Sequence, residues 1–226
     1  MNTPLRLHYA PDNASLCVRL ALEMLQAPYE AVLVDRSKGE HASAAYLAMN
    51  PNGLIPTLVT PDGALFETAA ILLWLSEREG KLFPAPGTPQ RGAGLKWLFW
   101  LANELHAAER VLFYSERLIS ADHVGELDRS VHLQIRSHLH LLDNAAPDWL
   151  GEETILGCYL APLLRWPVIY GNNPGWLSLA DYPNLLAFAR RFEATEASRR
   201  SAEAEGLGAK PFSEPQYPNP PEGSPL

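Results

Sequence analysis

Two short runs in the first third of the chain carry residue types whose spacing suits ligand chemistry. The first is Asn50-Pro51-Asn52-Gly53-Leu54-Ile55-Pro56, directly ahead of Thr57-Leu58-Val59. Proline cannot donate a ladder hydrogen bond, so Pro56 marks a strand entrance rather than a strand interior. The Ile55-Pro56 bond is of the kind that can be cis at modest cost, and a cis bond there turns the backbone groups of Ile55 outward, toward whatever lies beside the strand. The second run, Pro61-Asp62-Gly63 followed by Leu65-Phe66-Glu67-Thr68, closes a hairpin and hands its last strand to a helix expected over about 68–79. A helix N-terminus presents free N–H groups and partial positive charge, so the backbone and hydroxyl of Thr68 suit a carboxylate. Glu67 can then pair an adjacent ammonium. An isolated Glu-Thr reads more simply as a solvated charge before an N-cap. The Ile55-Pro56 entrance eleven residues earlier tips the reading toward a site.

The elements that must position these runs follow from periodicity. Leu5-Arg6-Leu7-His8-Tyr9 alternates as a strand, Pro11-Asp12-Asn13 breaks the chain, and Ser15 is expected to cap an apolar-periodic helix through Gln26. Pro28 ends that helix and Glu30–Val34 reads as a second strand, joined to the first through the helix as a βαβ unit. With the hairpin and the helix after Thr68 the order is βαβαββα, that of a thioredoxin-like α/β domain over residues 1–80. Residues 81–89 hold three prolines and read as a linker. Residues 90–205 show long helical patterns, such as Leu95, Leu98, Leu101 and Leu105, then Leu127, Val131, Ile135, Leu139 and Leu142, and predict an all-α domain. Further helices are expected over 154–164 and from Asp181 to about Glu196. Residues 206–226 are proline-rich and predict a tail draped on the surface through Phe212 and Tyr217.

Composition narrows the function classes. The 226 residues carry a formal charge of −8 and no basic run beyond Arg190-Arg191 and Arg199-Arg200, which argues against a nucleic-acid partner. The longest apolar run, around Ala69 to Leu75, is far short of the roughly 20 residues of a spanning helix, and the start of the chain does not read as a signal peptide. A soluble, cytoplasmic protein without a membrane partner is the expectation. Cys17 and Cys158 make no disulfide framework, and seven histidines without an i, i+4 pair or an HExxH run predict no metal site.

The combination of Ile55-Pro56 with Glu67-Thr68 resembles the glutathione-binding half of the glutathione transferases. The run from Leu95 to His106, ending Glu104-Leu105-His106, is similar to the first helix of the second domain in the bacterial beta type, and Ala180-Asp181-Tyr182-Pro183-Asn184-Leu185 is similar to a further family segment. The likeness covers nearly all of the chain except the tail. It implies a thioredoxin-like N-terminal domain with an all-α C-terminal domain, glutathione as co-substrate, a homodimer, and detoxification by adding glutathione to a small hydrophobic electrophile. Two rival activities share the fold: a glutathione-binding or interaction module without catalysis, and a glutathione-dependent isomerase or ether lyase.

The resemblance also implies roles for named residues. Ile55 and Pro56 meet the cysteinyl part of glutathione, Glu67 and Thr68 its γ-glutamyl end, and Glu104 sits beside it. Lys38, with His41 nearby, falls in the loop that can hold the glycine carboxylate. Activation means stabilising the thiolate. Lowering a thiol from a pKa of about 8.5 by about two units takes roughly 2.7 kcal/mol of selective interaction. A hydrogen bond to a charged group supplies about 1.5–3 kcal/mol and a helix N-terminus about 0.3–2 kcal/mol. Ser15 at the helix start is the first candidate for this role. The beta type has a cysteine just before this serine, where this chain has Ala14, so disulfide exchange at that position is excluded. A zeta-like alignment on Val18-Arg19-Leu20-Ala21-Leu22 moves the role toward Asp12 or Asn13, whose amide can donate. His106 donates toward the sulfur or accepts its proton on the same likeness. Tyr9, Phe113 and Tyr114 are candidates for the electrophile pocket, with Trp166 and Trp176 weaker ones. Cys17 and Cys158 read as core. Gly157 stands where the family commonly has an aspartate closing a hydroxyl-capped turn, which predicts weakened capping of that helix.

Overall fold

The computed structural model describes residues 4–171 and 175–225; the outermost residues of the expected end segments, 1–3 and 226, lie outside that description. The first domain runs β1 (Leu5–Tyr9), α1 (Ser15–Leu25), β2 (Tyr29–Leu33), a single-turn α2 (Ala44–Leu47), β3 (Thr57–Thr60), β4 (Gly63–Phe66) and α3 (Thr68–Glu79). This is the βαβαββα order read from the sequence. The sheet order is β2-β1-β3-β4, with β1 parallel to β2 and antiparallel to β3, and β3 antiparallel to β4. Thr57 lies opposite both His8 and Phe66. The ends of β1, β2 and β4 and the start of β3 therefore share one edge of the sheet. On that edge the β1–α1 loop, the Ile55-Pro56 entrance and the start of α3 stand side by side. Leu7 and Leu58 from the sheet, Leu16 and Leu20 from α1, and Ile71 and Leu75 from α3 are fully buried together.

The second domain holds α4 (Pro89–Trp100), a π-turn (Leu101–Leu105), α5 (His106–Phe113), a single-turn α6 (Ser115–Leu118), α7 (Ala121–Ala145), α8 (Ile155–Ile169), α9 (Pro183–Glu193) and α10 (Glu196–Glu205). Val131, Ile135, Leu139 and Leu142 bury one stripe of α7, as their spacing requires. α8 is buried from Ile155 to Pro167 and packs on α1, with α10 on the same helix of the first domain. It extends past the expected end at Leu164, through Pro162 and Pro167. Tertiary packing on every side outweighs the local penalty of proline there. The helix expected from Asp181 to about Glu196 is α9, and a further helix, α10, follows it after Thr195, whose hydroxyl accepts the Ser198 N–H at 3.2 Å and caps α10.

The α8 start retains half of the support expected to be weakened. Thr154 Oγ1 accepts the Gly157 N–H at 3.2 Å, while a Cβ on Gly157 would lie 3.0 Å from the Phe192 ring. Packing against α9 leaves no room for an aspartate. The tail also departs from expectation: Phe212 is fully buried, with its ring 5.9 Å from that of Phe192, whereas Tyr217 is exposed. Beyond it the chain returns to the sheet edge, where a Cβ on left-handed Gly223 would lie 2.7 Å from Leu33 and 3.2 Å from Pro11. Among the described residues no helix is long and apolar enough to cross a membrane.

Candidate active site

The β3–β4 side of the edge is built from short-range contacts. Ile55-Pro56 is cis, as the spacing allowed, and the Leu54 carbonyl just before it accepts from Tyr46 Oη and Asn50 Nδ2, each at 2.7 Å. Tyr46 Oη also lies 3.0 Å from Thr57 Oγ1, which ties the entrance to β3. Pro56 and Thr68 are buried, Ile55 is half-buried and Glu67 is exposed. Glu67 has a φ of 72°, a left-handed conformation that costs a non-glycine residue about 1–3 kcal/mol and that clusters at functional sites. Its carbonyl accepts the Ile71 N–H at 3.0 Å, but its carboxylate makes no hydrogen bond or ion pair among the described residues, while the α3 N-terminus beside it presents its free N–H groups to the edge. These residues are brought together as the sequence required.

Lys38 is farther out. It pairs with Asp35 at 2.7 Å and is 73% exposed, and this ammonium with Ser37 holds the Asp35 carboxyl down to about 2. The neighbour that turns inward is Arg36, which donates to Tyr114 Oη at 3.1 Å and to the Pro225 carbonyl at 2.9 Å.

The β1–α1 loop is built differently. Ser15 is fully buried, and its hydroxyl donates to the Ala10 carbonyl at 3.0 Å and accepts the Ala10 N–H at 3.3 Å. Both capacities of the hydroxyl are used inside the fold, so the structure does not bring Ser15 to the open face. Nor does it cap α1: Ala14 occupies that position without a side-chain bond. Asn13 is half-buried, and its Oδ1 accepts the Ala14 N–H at 2.9 Å. With the oxygen turned onto the helix start, the amide Nδ2 is left as donor, the polarity a thiolate needs. Asp12 has a φ of 49° and a fully buried carboxylate that accepts from Arg165 Nε and Nη2, Trp166 Nε1 and Tyr170 Oη at 2.6–3.0 Å. Its N–H donates to Glu205 Oε2 at 2.7 Å, and Glu205 is itself paired with Arg19 at 2.7 Å.

His106 follows the π-turn and faces α8. Its Nδ1 lies 2.9 Å from Tyr159 Oη and its ring 5.8 Å from that of Trp166. Burial, helped by Arg110, lowers its pKa to about 4, so the ring is neutral near pH 7. Its contacts are to residues behind the loop. Glu104 is exposed and 3.9 Å from His138 on α7. Tyr9 is buried, its hydroxyl donates to Glu222 at 2.5 Å and its ring packs under Arg19 at 4.5 Å, so it braces the tail rather than opening onto a pocket. Phe113 and Tyr114, half-buried at the end of α5, do reach the loop side, with Phe113 edge-on to Tyr170 at 6.2 Å. Trp166 is committed to Asp12, and Trp176 stacks on His132 at 3.9 Å. Cys17 and Cys158 are buried, and burial pushes both thiols up, which leaves them poor nucleophiles.

Sequence reasoning passed over Arg165, Tyr170, Arg36 and Glu222. One signal was available: Arg165 is the lone charge in the apolar run of α8, and a buried arginine is almost always paired. Its partner, 153 positions away, had no such mark.

The comparisons agree with this geometry. Residues 14–78 match the family described as glutathione S-transferase, N-terminal domain. The disulfide-bond oxidoreductase YfcG of Escherichia coli K12 is 29% identical over 220 residues, which are 89% of this chain and 96% of that protein. The uncharacterised GST-like protein YncG of the same strain is 30% identical over 169 residues, 72% of this chain and 82% of that protein. A sphingomonad glutathione S-transferase solved in complex with glutathione superposes with a TM-score of 0.75 at 29% identity, over 90% of this chain and all of that one. With these relatives, and with the cis Ile55-Pro56 entrance and Glu67-Thr68 on one edge of a thioredoxin-like sheet, the chain belongs to the glutathione S-transferase family.

Proposed function

We propose that the protein binds glutathione along the shared sheet edge and adds its thiolate to a small hydrophobic electrophile, with the Asn13 amide as the sulfur's donor. The γ-glutamyl carboxylate lies at the α3 N-terminus and its ammonium on Glu67; the cysteinyl backbone pairs with Ile55, and the sulfur reaches the β1–α1 loop. The observation that carries this reading is the polarity of Asn13. Its oxygen is held by the Ala14 N–H, so Nδ2 is the atom left to face a ligand. A hydrogen bond to a charged sulfur, with the start of α1 behind it, is of the size needed to lower the thiol by about two pKa units. The thiolate attacks the electrophilic carbon, a C–S bond forms, and the leaving group departs with the displaced electron pair. Phe113 and Tyr114 border the electrophile on the second domain.

The glutathione bound to the sphingomonad enzyme supports the ligand. The disulfide chemistry named for YfcG is the second reading, and with Cys17 and Cys158 buried it would use the thiol of bound glutathione. The homodimer, the cytoplasmic location and the detoxifying role belong to the same proposal; Phe99, 55% exposed on α4, is an apolar residue that a second copy would cover. The test is an ultraviolet titration of thiolate absorbance with protein in excess over glutathione. A bound thiol lowered by about a unit or more, and returned toward about 8.5 by Asn13→Ala, is the expected result. Absence of binding overturns the reading, and binding without a lowered thiol leaves a non-catalytic module.

A further inference from the structure

Asp12 is unusual for a residue next to an open site: its carboxylate is fully buried, and among the described residues it accepts from Arg165 and Trp166 on α8 and from Tyr170 just past its end, all in the other domain. Its N–H is tied as well, to Glu205 on α10. The same Arg165 that grips Asp12 donates to the tail carbonyls of Pro211 at 2.9 Å and Gln216 at 2.8 Å, so every nitrogen of the guanidinium donates in the core. Apolar residues of similar volume would hold two domains together at least as well as a buried ion pair, because desolvating both charges offsets much of their attraction. What a multidentate carboxylate supplies is direction. Asp12 is joined by one peptide bond to Asn13, whose oxygen is in turn locked to the helix start. The His106 ring lies beside Trp166, 5.8 Å away between ring centres and tilted by 39°.

We infer that Asp12 and its donors in the second domain, Arg165, Trp166 and Tyr170, form a positioning device that aims the Asn13 amide at the ligand sulfur, and that His106 acts through this device by buttressing Trp166. The inference rests on the proposed role of Asn13. It makes the second domain a contributor to thiol activation without any of these side chains touching the sulfur.

Tyr170→Phe and Trp166→Phe each remove one donor to Asp12 while keeping an aromatic ring in place. Each variant is compared with the intact protein by thiolate titration of bound glutathione, by glutathione affinity, and by thermal unfolding. The expected result is a bound thiol raised by about 0.5–1 unit, roughly a three- to tenfold fall in its ionisation constant, with affinity held within about twofold because the Glu67 side is untouched. Either variant suffices if the other does not fold. A lowered melting temperature with an unmoved thiol assigns the network a structural role and overturns the inference. Failure of the intact protein to bind glutathione or lower its thiol instead overturns the proposed function, so the two failures are distinguishable.

Discussion

The two sides of the sheet edge are made in opposite ways. On the β3–β4 side, Ile55, Pro56, Glu67 and Thr68 lie within one hairpin of each other, and their supporting bonds span eleven residues or fewer, as Tyr46 to Thr57 does. Glu67 stands exposed in a left-handed conformation, its carboxylate unspent. On the β1 side, the Asp12 carboxylate is saturated by partners 153 to 158 positions away and is sealed from water. One side keeps its polar groups free for a ligand, while the other consumes them to hold a loop. Recognition can therefore be local and open, because a helix start and a turn carry their own dipoles and donors. On the proposed function, activation needs an angle, and an angle must be held from outside the loop.

Breaking the buried side should have the largest effect. Asp12→Ala leaves Arg165 charged and unpaired in the core, at an expected cost of about 3–5 kcal/mol, or roughly 6–20 °C in melting temperature. A loss under about 1 kcal/mol in thermal unfolding would mean that the two sides do not differ in this way. Glu67→Ala should instead leave stability within about 0.5 kcal/mol and weaken glutathione by about 1.5–3 kcal/mol, on the order of 10- to 150-fold by calorimetric titration. Unchanged affinity would remove Glu67 as the ammonium partner. The smallest effect sharpens the contrast inside the loop. Ser15→Ala removes a buried hydroxyl bonded both ways to Ala10, so about 1–2 kcal/mol of stability should be lost with the bound thiol unmoved. A raised thiol in that variant would return the activating role to the serine.

Much of the edge was legible before any coordinates. Pro56, the Pro61-Asp62-Gly63 turn and Glu67-Thr68 signal through local chemistry, and local chemistry survives in one dimension. The same reasoning placed a hydroxyl at the start of α1 and assigned it to the sulfur. Residue type cannot tell which way a side chain turns, and Ser15 turns to Ala10. Glu104, which the likeness placed in a run beside the ligand, lies 3.9 Å from His138 in the fold. Phe212 was read as surface because its neighbours are prolines, yet the pocket beside Phe192 and the bonds from Phe212 and Ser213 N–H to Glu193 seat it in the core.

What the sequence alone determined is the thioredoxin-like order of elements, the helical second half and the turns that bring β3, β4 and α3 to one edge. Each of these follows from periodicity, proline geometry or a helix end within a few residues. Only the tertiary structure decided that Asp12 pairs with α8 and the residue after it, that Tyr9 belongs to the tail and that the Asn13 oxygen turns onto the Ala14 N–H. Those outcomes depend on which distant groups meet a buried polar atom, since a carboxylate out of water must take whatever donors the folded chain brings to it.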